Sequence, residues 1–376
     1  MKLQLDRFIF LVVFLLTISS LLTLAEGGKR MRQISLRSHR ISVSGHSSGA
    51  VAATQFYLSH SHLIDGIAVF STMQYHCAVG GSFVKLVPCL RGRRNVSESV
   101  DKAREYDRDG FIDPLENLKS RRHYLHHGSR DVIIHFDNGV HAYEFFKQFS
   151  DNVRFHQSDS NHAVPTKHCG IHCMYGTVGS GCSKCDFSAV FDGLNYIYNG
   201  TLKEPTVTTC RAAQPNDGIK FVDQSEFLFP FDNKVSMHSE AVLYTPRQCR
   251  ANSSLCTLHV AYHGCRHSIQ NDGMEYIKCS GYIEMADAND MIVLFPQVKH
   301  SRVDTITYFN CWDLHGYTGP LYATKLGSQN QVVYNMIRRI MNGYNNEDNI
   351  RHWKPLAVVN EIDDEDDHHK KVVVVN

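Results

Sequence analysis

The chain has 376 residues, 39 Lys and Arg against 38 Asp and Glu, and 43% hydrophobic residues, enough apolar material for the core of one large domain or two ordinary ones. That excludes a chain disordered throughout, and a formal charge of +1 scattered along most of the sequence excludes a sustained basic face for nucleic acid. One apolar stretch, Phe8 to Ala25, is long enough to concern a membrane.

That stretch follows Lys2 and Arg7, is apolar through Phe10 to Leu16, and ends in Thr23-Leu24-Ala25 before the polar Glu26-Gly27-Gly28. Small residues at Thr23 and Ala25 are what signal peptidase requires, so residues 1–25 read as a cleaved secretory signal, with a retained signal anchor as the alternative. A secreted chain, off the membrane after cleavage, is expected. All 12 cysteines fall beyond that point, and disulfides are their natural use in an oxidising compartment. Three Asn-x-Ser/Thr triplets, at Asn95, Asn199 and Asn252, are candidate glycosylation sites.

In chain order, Ile41 to Val43 is a short β-branched strand running into Gly45-His46-Ser47-Ser48-Gly49, and Ala50 to Leu58 has helical character. Ile64 to Phe70 reads as a buried strand and Asn95 to Leu118 as polar helix and loop. Tyr124-Leu125 and Val132-Ile133-Ile134 read as strand pieces on either side of Gly128-Ser129-Arg130-Asp131. Phe187, Val190, Phe191, Leu194 and Ile197 recur at helical spacing, which predicts an amphipathic helix over Cys185 to Tyr198. Leu258 to Tyr262 and Met291 to Phe295 are the short apolar runs of a sheet buried on both faces. Alternating strands and helices point to an α/β fold with a mostly parallel sheet. Residues 26–343 read as a single catalytic domain. Residues 344–376, with Asp363-Asp364-Glu365-Asp366-Asp367, read as a polar, acidic, disordered tail too short for a further folded module.

Gly-x-Ser-x-Gly between a strand and a helix is the signature of a nucleophile elbow, in which a sharp turn lifts the serine hydroxyl above the sheet. Ser47 is therefore the candidate nucleophile. It needs a base, usually an imidazole held by a carboxylate, and 23 histidines with 38 acidic residues are too many for counting to choose between.

Taken together, Gly45-His46-Ser47-Ser48-Gly49, Gly128-Ser129-Arg130-Asp131, His162-Ala163-Val164-Pro165-Thr166, His263-Gly264-Cys265 and Cys311-Trp312-Asp313 resemble the motifs of secreted poly(3-hydroxybutyrate) depolymerases whose lipase box lies near the N-terminus. The resemblance covers roughly residues 40–340. It implies a serine esterase without cofactor or metal, acting on a polyester or short-chain ester, with a monomer as the default state. It also implies Ser47 as nucleophile, Asp131 as acid and His162 as base. Ser129 stands where the family has threonine, and Asp137, after Val132 to Phe136, is the rival acid on local propensity.

Chain order carries an independent argument. In an ordinary α/β-hydrolase several strands and the oxyanion loop precede the nucleophile, but the stretch from Glu26 to Ser47 is too short to hold them. Leu258 to Tyr262 followed by His263-Gly264-Cys265 must supply the missing strand and loop, which makes the fold a circularly permuted α/β-hydrolase. The backbone N–H of Ser48, next to the nucleophile, and that of Cys265, matching the family's His-Gly-Cys loop, are the expected oxyanion donors. The resemblance also makes Trp312 an aromatic wall for substrate, although Leu314-His315 departs from the second tryptophan common there.

Cys77 with Cys89, Cys249 with Cys256, and Cys265 with Cys311 are the preferred bridges, the last tying the oxyanion loop to the Trp312 loop. Cys169-x3-Cys173 and Cys182-x2-Cys185 read as further disulfide cysteines, with a zinc site as the alternative, and Cys210 pairs with Cys279 by elimination. Three functions follow: a poly- or oligo(3-hydroxybutyrate) esterase, a feruloyl, acetyl or other short-acyl carboxylesterase, and a catalytically silent hydrolase-fold binding protein.

Overall fold

The computed structural model describes residues 28–37, 41–78, 83–175, 181–206, 217–228, 235–300 and 309–342. The secretory signal read over 1–25, the tail read over 344–376 and Cys210 lie outside the described residues.

An eight-stranded sheet carries the fold. Its spatial order begins β4 (Val153–Ser158), β3 (Arg122–Gly128), β2 (Ile64–Phe70) and β1 (Ile41–His46). It continues with β10 (Thr257–Tyr262), β11 (Met291–Phe295), β9 (Glu240–Tyr244) and β8 (Ile219–Asp223). The run from β4 to β11 is parallel, and β9 and β8 close one edge antiparallel. Strands that come late in the chain thus fill the side of β1 that chain order requires, and the fold is an α/β-hydrolase in circularly permuted form.

Strand alternation explains why the apolar runs are continuous. Ile67, Val69, Leu258, Val260, Ile292 and Leu294 enter one core, whereas Ala68, Phe70, Ala261, Met291, Val293 and Phe295 enter the other. The first core is covered by α1 (Ser48–Ser59), whose Ala50, Ala53 and Phe56 are fully buried, and by α4 (Asp137–Lys147), which follows α2 (Phe83–Leu90) and α3 (Val96–Arg108). The second is covered by α5 (Ala189–Ile197) and α6 (Tyr282–Asn289). Helix α5 is shorter than the helix predicted over Cys185 to Tyr198, because Ser188 caps it by accepting the Phe191 N–H. The expected apolar face is present: Val190, Leu194 and Ile197 are buried.

Val132-Ile133-Ile134 does not form the strand predicted there. The backbone N–H groups of Ile133 and Ile134 both turn to the Asp131 carboxylate, at 3.0 and 2.8 Å, and a local side-chain acceptor replaces the sheet ladder. Val132 and Ile133 are left 64% and 48% exposed. A small parallel sheet of β5 (Val164–Thr166), β7 (Cys182–Lys184) and β6 (Ile171–His172) follows the main sheet's β4 edge.

Candidate active site

The functional side chains come from loops at the carboxyl ends of parallel strands, where an open α/β sheet leaves room for a ligand. Ser47 follows β1 directly, in a turn that forces φ to 56°, a left-handed conformation that costs a serine energy. The glycines around it have a steric cause. A Cβ on Gly45 would lie 2.2 Å from the Gly49 carbonyl oxygen, and one on Gly49 would lie 2.3 Å from the His263 carbonyl oxygen. The Ser47 N–H is tied across to Phe70 O at 2.9 Å.

Asp131 and His162 come from neighbouring strands, β3 and β4. Their loops are laced together: Ser129 N–H donates to Ser158 O at 2.8 Å and Arg130 N–H to Ser160 O at 3.0 Å. Gly128 makes that approach possible, since a Cβ there would sit 2.2 Å from Ser160 O. The result is a continuous chain of hydrogen bonds. His162 Nδ1 lies 2.7 Å from Asp131 Oδ2 and His162 Nε2 lies 2.9 Å from Ser47 Oγ. A carboxylate only accepts, so Nδ1 carries the proton and Nε2 is free to accept from the serine hydroxyl. The Asp131 side chain is fully buried and that of His162 is 10% exposed. Burial alone would raise the Asp131 carboxyl, but His162 and a second histidine, His127, outweigh it and hold the group well below the usual carboxylate range.

The rival acid is elsewhere. Asp137 opens α4 with its carboxylate 3.2 Å from His135 and 56% exposed. Local strand propensity misled there, because the apolar run before it is the turn that caps Asp131.

Ser48 is the first residue of α1, so its N–H has no acceptor within the helix. Cys265 lies in the loop after β10, which is pinned from several sides. His263 Nδ1 donates to Gly264 O at 2.7 Å, its Nε2 accepts from Val298 N–H at 3.3 Å, and Cys265 is bonded to Cys311. Burial keeps His263 neutral by pulling it down to about 3, which that pair of contacts requires.

Trp312 is a correction to the sequence reading. It is 1% exposed and packs edge-on against Tyr262 with ring centroids 4.9 Å apart. Its Nε1–H donates to the His263 carbonyl at 3.0 Å. A side chain so enclosed cannot be a wall for substrate; it supports the loop after β10 from behind. The neighbouring Asp313, given no role from sequence, gathers the N–H groups of His315, Gly316, Tyr317 and Thr318 and so shapes the next loop.

The bridges Cys77–Cys89, Cys249–Cys256 and Cys265–Cys311 form as expected. A fourth, Cys173–Cys185, takes one cysteine from each of the two short motifs and thereby removes two thiolates that a zinc site would need. Cys169 is also disulfide-bonded, while Cys182 and Cys279 are buried. Pairing of Cys210 with Cys279 involves a cysteine outside the described residues.

Two histidines escaped the sequence reading. His127 reaches Asp131, and its position just before the Gly128-Ser129-Arg130-Asp131 turn was the available signal. His46, inside the pentapeptide itself, lies with its ring centroid 4.9 Å from that of His162 and is kept neutral by burial and by His162 and His267.

Fold and site together define an α/β-hydrolase with a serine, histidine and aspartate in hydrogen-bonded sequence. No family model matches the chain. It is 28% identical over 309 residues to a poly(3-hydroxybutyrate) depolymerase of Delftia acidovorans, covering 80% of this chain and 59% of that one. Over 319 residues it is 26% identical to a polyhydroxybutyrate depolymerase of Talaromyces funiculosus, covering 81% and 90%. Among solved structures, a polyhydroxybutyrate depolymerase from Penicillium funiculosum superposes with a TM-score of 0.74 at 23% identity, over 84% of this chain and all of the other. A serine-to-alanine depolymerase bound to an R3HB trimer superposes equally, with a TM-score of 0.74. The resemblance to poly(3-hydroxybutyrate) depolymerases read from the motifs therefore extends over four-fifths of the chain.

Proposed function

We propose that this chain is a secreted serine esterase that hydrolyses poly- or oligo(3-hydroxybutyrate) through an acyl-enzyme. The observation that carries the proposal is the unbroken Ser47–His162–Asp131 relay, at 2.9 and 2.7 Å, on loops that follow three different strands. His162 takes the Ser47 proton as Oγ attacks the ester carbonyl, and Asp131 stabilises the imidazolium that forms. The backbone N–H groups of Ser48 and Cys265 receive the developing oxyanion. The protonated His162 then gives its proton to the departing alkoxide oxygen as the ester C–O bond breaks, releasing the alcohol end of the substrate. Water, deprotonated by the same imidazole, attacks the acyl-serine and releases a hydroxy acid.

Sequence similarity to two polyhydroxybutyrate depolymerases favours the substrate class. The buried Trp312 favours a second reading, a short-acyl carboxylesterase acting on soluble esters, because it removes the one side chain expected to grip a polymer. Secretion is supported by the N-terminal sequence and by the four described disulfides. No helix of the described residues is long and apolar enough to cross a membrane. Asn95, Asn199 and Asn252 are exposed, as N-glycosylation requires.

The test compares clearing of polymer granules, release of acid from soluble hydroxybutyrate trimers and hydrolysis of a short chromogenic ester, with Ser47→Ala as the blank. Hydrolysis of granules or trimers, lost in Ser47→Ala, is expected. Activity on the chromogenic ester alone would favour the second reading, and no activity on any of the three would leave only the binding protein.

A further inference from the structure

His127 is the last side chain of β3 before the Gly128 turn, and it is completely buried. Strand alternation sends it to the opposite face from His126, whose Nε2 meets Ser158 Oγ at 2.8 Å. The His127 Nε2 lies 2.9 Å from the Ile134 carbonyl oxygen and 3.3 Å from Asp131 Oδ2. Both neighbours are acceptors, so Nε2 carries the hydrogen and shares it between them. Nδ1 has no hydrogen-bond partner among the described residues, and it faces Gly139 of α4, where a Cβ would come within 2.7 Å of it. The ring therefore has one orientation and one tautomer, clamped by the helix above it.

We infer that His127 is a positioning residue for the acid of the relay, an inference that rests on the triad reading proposed above. Asp131 Oδ1 is occupied by the N–H groups of Ile133 and Ile134, and Oδ2 by His162. The turn that supplies those N–H groups could still drift outward, because Val132 and Ile133 are exposed and contribute little packing. His127 closes the turn on itself. Its single N–H holds the Ile134 carbonyl and the Asp131 carboxylate, so the peptide units that grip one carboxylate oxygen are fixed relative to the other. The carboxylate then presents Oδ2 to His162 Nδ1 in one geometry, and the base faces Ser47 in one geometry. A displacement of about 1 Å in such an arrangement costs on the order of 100-fold in rate.

Two polar substitutions separate this role from simple burial of an imidazole. Glutamine can place an amide N–H where Nε2–H now sits, whereas asparagine is one bond too short and reaches only the Nδ1 position beside Gly139. His127→Asn is expected to lower kcat by roughly 10- to 100-fold with KM within twofold of wild type, and His127→Gln to restore most of that loss. Circular dichroism and thermal unfolding of each variant normalise the rates to folded protein. Equal kcat values for the Asn and Gln variants, or a His127→Asn kcat within twofold of wild type, would overturn the inference. Asp131→Asn, assayed alongside, distinguishes the two failures. If it too is active, the triad reading fails; if it is inactive while His127→Asn is not, only the positioning role does.

Discussion

Trp312 offers the sharpest quantitative test, because the buried support seen in the structure and the aromatic wall expected from sequence differ in every observable. The side chain is 1% exposed, so Trp312→Ala removes a full buried indole at a cost of about 3–5 kcal/mol. It also strips the His263 carbonyl of its donor, a further loss of about 1–3 kcal/mol if no water replaces it. At about 2 °C per kcal/mol for a domain of this size, the melting temperature should fall by roughly 8–16 °C. The same carbonyl belongs to the loop that carries Cys265, so kcat should fall on every substrate, with about 100- to 1,000-fold as the ceiling set by complete loss of one oxyanion donor. Trp312→Phe keeps most of the packing and loses only the N–H, so it should melt a few degrees below wild type. The assay is thermal unfolding by circular dichroism beside kcat on a short chromogenic ester and on hydroxybutyrate trimers. An unchanged melting temperature with a selective loss on the polymer or trimers would refute the buried placement and restore the aromatic wall.

Asp131→Asn should lower kcat by several orders of magnitude, since an amide cannot stabilise the His162 imidazolium, whereas Asp137→Asn, altering an exposed carboxylate, should stay within a few-fold of wild type; the reverse ranking would make Asp137 the acid. Burial holds His60, His123, His259 and His263 at about 3 against the usual 6.5, so the unfolded chain binds protons that the folded chain refuses between those values. The stability they permit is complete above pH 6.5 and falls as pH drops toward 3, by about 1.4 kcal/mol per pH unit for each, so melting temperature should drop steeply below about pH 6. A flat profile from pH 7 to pH 5 would show that these imidazoles are solvated or paired. Replacing Cys265 and Cys311 together by serine opens a link across a separation of 46 residues, which should cost about 4 kcal/mol and lower kcat with it; an unaltered denaturation midpoint would place the two loops under other control.

The elements around Ser47 were legible because most of their causes are local. Gly45 flanks Ser47 for a steric reason within the turn itself, whereas Gly49 clears the His263 carbonyl of a sequence-distant loop, and a β-branched strand leading into small helical residues announces the turn on both sides. The permuted order was also legible in the apolar runs Leu258 to Tyr262 and Met291 to Phe295, which come far after Ser47 in the chain and lie to one side of β1 in the sheet. The proposed acid and base were another matter. Among 23 histidines and 38 acidic residues, His162 and Asp131 could be singled out only by resemblance, because nothing in composition records which strand ends lie side by side. Tertiary structure alone decided the rest. The apolar Val132-Ile133-Ile134 looked like a strand until the Asp131 carboxylate captured its N–H groups. Cysteines of two short motifs paired across them, as Cys173–Cys185. Trp312 went inside, and His127, packed beside Gly139 of α4, acquired the Ile134 carbonyl and Asp131 as partners. The Trp312 placement depends on a distant part of the chain, whereas the Asp131 turn and the His127 contacts depend on side chains that periodicity does not report. Periodicity reports which face of an element is apolar, and the order of strands in the sheet determines what that face meets.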